Sequence, residues 1–107
     1  RDSMKKSPEL NIEERLCEYL KMNYRGSGNQ VSSKQLEAFF HVKGTEIRRM
    51  VNSLRCKGEP ICSDYYGYYY AANQLEINAT IAQLSSRIRS IADARDGLLN
   101  RADDAEE

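Results

Sequence analysis

Between Ile12 and Leu54 the apolar residues recur at the three-and-four spacing of amphipathic helices. Ile12, Leu16, Tyr19 and Leu20 share one face, extending to Met22. Asn11 is a good N-cap for this segment, and Glu13 and Glu14 lie in a first turn where the helix dipole favours acids. Leu36, Phe39 and Phe40 repeat the pattern behind Ser32 or Ser33, with Gln35 or Glu37 placed to complete the cap. Ile47, Met50, Val51 and Leu54 make a third stripe, capped by Thr45 and closed at Lys57-Gly58, where Gly58 suits a left-handed C-cap. The break between the last two helices, His41-Val42-Lys43-Gly44, is short, and Gly44 supplies the freedom a sharp turn needs. Two helices joined so closely form a helix-turn-helix.

The period then changes. Pro60-Ile61-Cys62-Ser63 and Tyr68-Tyr69-Tyr70-Ala71 are runs of strand formers on either side of Asp64-Tyr65-Tyr66-Gly67, which predicts a two-stranded hairpin. Alternation sends Tyr69 to one face and Tyr68 and Tyr70 to the other, so one set is expected in the core and the other in an aromatic surface patch. Val31 is expected to add a short strand beside the hairpin. Arg25 to Gln30 reads as a flexible linker, since its glycines lack the spacing and the Lys-Ser or Lys-Thr of a phosphate loop.

After Ala72, Asn73 caps a long helix whose apolar positions are Ile77, Ile81, Leu84, Ile88 and Ile91, spaced 4-3-4-3. Leu98 continues that register, with Arg95 standing in for one member. This is a heptad seam, and it is expected to pair with a symmetry mate as a dimerisation coiled coil. The competing reading folds it back over Ile12, Leu16 and Tyr19. The divisions that follow are a flexible lead at 1–10, a helix-turn-helix domain with its hairpin at 11–72, the long helix at 73–99 and an acidic disordered tail at 100–107.

A helix-turn-helix followed at once by a hairpin resembles the biotin-repressor type of winged helix-turn-helix. It is similar, too, to small winged-helix proteins common in bacteria and their phages. The residues carrying the resemblance are Val31-Ser32, Leu36, Ile47, Val51, Ser53-Leu54-Arg55 with Gly58, and Gly67-Tyr68. It covers roughly the first three-quarters of the chain. The fold it implies is mainly α with a small hairpin, and the function it implies is binding of double-stranded DNA in transcription regulation.

Composition refines this picture without deciding it. The 107 residues suit one domain, and the 16 basic and 16 acidic side chains cancel, so the chain is no general nucleic-acid binder. Their distribution is uneven. Val31 to Cys62 holds six cations against three acids, while Asp93 to Glu107 holds two against six. A basic centre and an acidic end fit a DNA-facing core and a solvated tail. Cys17, Cys56 and Cys62 are odd in number and, with the lone His41, lack metal-ligand spacing; no metal or cofactor is expected. Reduced thiols, no membrane-spanning apolar run and no leader pattern point to a cytoplasmic protein. One histidine, and no nucleophile with a base at recognisable spacing, give catalysis no support.

Projected at about 100° per residue, the second helix of the motif gathers Thr45, Arg49, Asn52 and Cys56 opposite its apolar stripe. Arg48 and Arg55 fall on one flank, Glu46 and Ser53 on the other. Arg can pair with guanine and Asn with adenine in a major groove, while Lys34, Lys43 and Lys57 sit near helix ends, in reach of phosphates. The wing tip carries no cation, so Tyr65 and Tyr66 are expected to meet phosphates or sugar edges by hydrogen bonding. The same tyrosines, with the isoleucine seam, also suit a rival role as a protein-interaction module such as a phage adaptor or inhibitor. A phage replication or packaging protein that binds DNA is a second rival.

Overall fold

A computed structural model describes residues 11–106, the side chains from 11 to 101; the lead at 1–10 lies outside the described residues. The chain is mainly helical, with a two-stranded antiparallel hairpin and a long C-terminal helix. The elements are α1 (Ile12–Asn23), α2 (Ser33–Phe40), α3 (Gly44–Cys56), β1 (Ile61–Asp64), β2 (Gly67–Tyr70) and α4 (Gln74–Glu106). They divide into two compact units, one ending at Ile77 and the other beginning at Asn78.

Local signals place the first two helices. Asn11 and Glu14 form a reciprocal capping box on α1, and Ser32 and Gln35 form another on α2. Leu16, Leu20, Leu36, Ile47 and Met50 are fully buried, joined by Val51, Leu54, Ile61 and Tyr70 in one core. Two expected core members are not there. Met22 and Phe39 are exposed, and the Phe39 ring stacks on Tyr19 at 4.3 Å between centroids.

The turn between α2 and α3 is built differently from the expected one. The left-handed residue is His41 (φ 58°, ψ 46°), and Gly44 is already helical. A Cβ at 44 would lie 2.8 Å from the Glu37 carboxylate, the mobile end of a side chain that can move aside. Lys43, not Thr45, is the N-cap of α3, and no side chain caps that end. Gly58 does take the left-handed conformation that closes the helix (φ 96°).

In the hairpin Ile61 faces Tyr70 and Cys62 faces Tyr69. Val31 exchanges two 2.9 Å backbone hydrogen bonds with Tyr68, the short strand expected beside the wing. Gly67 sits against it, and a Cβ there would come within 2.2 Å of the Val31 carbonyl oxygen. The stretch expected to be a linker is anchored: the Gly26 amide donates to Tyr70 O at 2.8 Å, and the Tyr70 amide to Tyr24 O at 2.7 Å. The expected aromatic patch on the strands does not form. Tyr70 enters the main core with Tyr68 against it, while Tyr69 packs on the opposite face with Cys62, Ala71 and Ile77. The first turn of α4 covers that second face.

Asn73 caps α4, accepting from the Glu76 amide at 3.0 Å. Glu76 in turn accepts from the amides of Ser27 and Ala72. The helix does not give way to a frayed tail after position 99. It passes Gly97 and runs on to Glu106, through Leu98, Leu99, Arg101, Ala102 and Ala105, whose helix propensity outweighs one glycine.

Candidate nucleic-acid interface

The buried stripe of α3 (Ile47, Met50, Val51, Leu54) leaves the opposite side to solvent, and both flanks are tied down. On the flank toward α1, Ser53 Oγ and Lys57 Nζ both donate to Glu13 Oε2, each at 2.8 Å. Only 13% of the Glu13 side chain is exposed. Hydrogen bonds from Lys57 and then Ser53 hold its carboxyl below the usual range, and Lys57 is raised in return. One turn earlier, Arg49 Nε donates to Glu46 Oε1 at 3.1 Å, with a second contact from Nη2 to Oε2. The pair lowers the Glu46 pKa and raises that of Arg49.

The other flank meets the hairpin. Arg55, half-buried, donates from Nε to the Ile61 carbonyl at 2.8 Å and from Nη2 to Ser63 Oγ at 3.1 Å. It fixes the wing to the helix rather than projecting from it. Of the cations expected to face DNA, Arg49, Arg55 and Lys57 are therefore engaged within the chain. Thr45, Arg48 and Asn52 are exposed in a row along α3. Lys43 is exposed at the helix start and Lys34 in the first turn of α2.

Lys34 lines a shallow cleft of about 290 Å³ with Ser33, Ser63, Tyr65, Tyr66 and Tyr68. Asp64 holds the wing turn. Its Oδ1 accepts from the amides of Tyr66 and Gly67, at 2.8 and 3.2 Å, and its Oδ2 accepts from Gln30 Nε2. Tyr65 and Tyr66 stand out from that turn, 93% and 72% exposed, with their rings edge-to-face at 5.3 Å. The seam residues fall into two groups. Ile77 is spent on the hairpin, whereas Ile81, Ile88 and Ile91 are exposed and Leu84 is half-buried.

Residue-by-residue reasoning missed Glu13, Ser63 and Gln30. The Glu46–Arg49 pair has a local signal, an acid three residues before a base on one helix. Glu13 has none, being 44 positions from Lys57. Among the described residues no group of three His, Cys, Asp or Glu is placed to hold a metal, and no helix is long and apolar enough to cross a membrane. The three cysteines are free thiols, Cys17 and Cys62 buried and Cys56 exposed. Compared with family models, curated proteins and solved structures, the chain finds no match.

Proposed function

We propose that this chain binds double-stranded DNA sequence-specifically, laying α3 in the major groove as a winged helix-turn-helix and acting as a dimeric regulator of transcription. The observation that carries the reading is the exposed row Thr45, Arg48 and Asn52 on a helix whose two flanks are already secured. Arg48 and Asn52 are four residues apart, roughly 6 Å along the axis, so they reach about two successive base pairs. Arg48 suits guanine O6 and N7, and Asn52 suits adenine N6 and N7. The uncapped start of α3, with Lys43 beside it, and Lys34 on α2 suit phosphates that set the register. The resemblance to small bacterial and phage winged-helix proteins supports the same role.

Exposure of Tyr65 and Tyr66 on a rigid, cation-free wing favours one other reading, a protein partner captured by the hairpin tip. A mobility-shift titration with duplex from around the gene separates the two. Arg48→Ala and Asn52→Ala are expected to abolish the specific shift, and Arg49→Ala to weaken it much less, because Arg49 is held by Glu46. Loss confined to Tyr65→Ala and Tyr66→Ala, in binding to a protein partner and with no duplex bound, would favour the interaction module.

A further inference from the structure

The second unit presents an apolar stripe along α4. Ile81, Ile88, Ile91 and Leu98 are 52 to 72% exposed, and Leu84 lies between them half-buried. In heptad terms Ile81, Ile88 and Arg95 occupy a positions, and Leu84, Ile91 and Leu98 occupy d positions. We propose that this stripe pairs with α4 of a second copy, and that the two helices run antiparallel.

Charge decides the direction. From Asn78 to Ala92 the helix carries Arg87 and Arg89 and no acid. From Asp93 onward it carries six acids against Arg95 and Arg101. A parallel pair would set the two acidic ends side by side and place Arg95 against its own copy in the seam. An antiparallel pair with its midpoint between Arg89 and Ser90 sets Ile81 against Leu98 of the second copy, Ile88 against Ile91, and Arg95 against Leu84. Four of the five apolar members of the stripe are then matched with one another, and Leu84 lies opposite Arg95, whose methylene stem is apolar. Arg87 comes level with Ala92 of the second copy, one residue from Asp93, and the same approach occurs twice by symmetry. The acidic ends, centred near Asp103, separate by about 40 Å along the axis, several screening lengths at ordinary salt.

The inference rests on the dimer part of the function proposed above and not on DNA contact, so the two can fail separately. Sedimentation equilibrium of the full chain tests the pairing, and a spin-label distance tests its direction. The expected result is a dimer that Ile88→Asp converts to a folded monomer, with helix content checked by circular dichroism. A monomeric wild type, or a dimer indifferent to Ile88→Asp, would overturn the proposal. For direction, Arg101→Cys is labelled in a Cys56→Ser background, leaving Cys17 and Cys62 buried. Antiparallel pairing predicts a label separation on the order of 35 Å, and parallel pairing a separation under about 20 Å. A short distance would overturn the antiparallel arrangement while leaving the dimer, and the reading of α3, in place.

Discussion

Three arginines within one helix face three different fates, and their contacts assign them. Arg55 donates to the Ile61 carbonyl and to Ser63, so removing it strands a β1 acceptor and loosens the wing. Hydrogen bonds from a charged donor contribute about 1.5–3 kcal/mol, and Arg55→Ala is expected to lower the unfolding free energy by an amount of that order in urea. Arg48→Ala, at an exposed position, is expected to leave the urea midpoint unchanged. Equal midpoints for the two variants would contradict the structural role given to Arg55. Gly67 is constrained by space and by backbone angle together, with φ at 147° and the Val31 carbonyl 2.2 Å from a Cβ. Gly67→Ala is expected to cost at least about 2 kcal/mol, measured in the same way. The thiols divide by burial. Burial first, then the Glu59 carboxylate, pushes Cys17 up to about 11, whereas Cys56 is open to reagent. A thiol titration of the native chain at pH 8 is expected to find one fast-reacting group, with the other two released by denaturant.

At the scale of elements, α1 is tied to α3 through Glu13, which takes hydrogen bonds from both Ser53 and Lys57. Hydrogen bonds from Lys57 and then Ser53 hold its carboxyl below the ordinary carboxylate range. A carboxyl lowered on folding contributes stability above its unfolded pKa and loses it as the pH falls through the folded one. Urea unfolding is therefore expected to show stability dropping as the pH falls below 4.5, and Glu13→Gln to flatten that drop while lowering stability at pH 7. An unchanged profile in Glu13→Gln would remove Glu13 from the account of acid sensitivity. The elements themselves were legible in the sequence because their signals are local: Asn11 and Ser32 with their boxes, the stripe from Ile47 to Leu54, Gly58 and the hairpin runs. What stayed hidden depends on contacts between different elements. Glu13 neutralising Lys57, Arg55 reaching Ser63 and Ile77 covering Tyr69 have no spacing that announces them. The turn at His41 was misread because a residue other than glycine takes the left-handed conformation there, while Gly44 is already helical.

For the whole molecule, net neutrality conceals an organised charge pattern. Glu13 and Glu46 hold the basic side chains on one flank of α3, which leaves Arg48, Lys43 and Lys34 to meet a polyanion. Few phosphate contacts follow, so the salt dependence is expected to be moderate for one protomer and about doubled for two. In the proposed reading, specificity falls on Arg48 and Asn52, with Tyr65 and Tyr66 adding contacts that charge does not govern. The most direct measurement is fluorescence anisotropy of the purified chain against labelled duplex from around its own gene, across a range of salt, with unrelated duplex as competitor and Arg48→Ala alongside. Specific binding that weakens steadily with salt and is lost in Arg48→Ala is the result expected if α3 reads DNA. A folded protein that binds no duplex at low salt, or binds it equally well without Arg48, would contradict that claim.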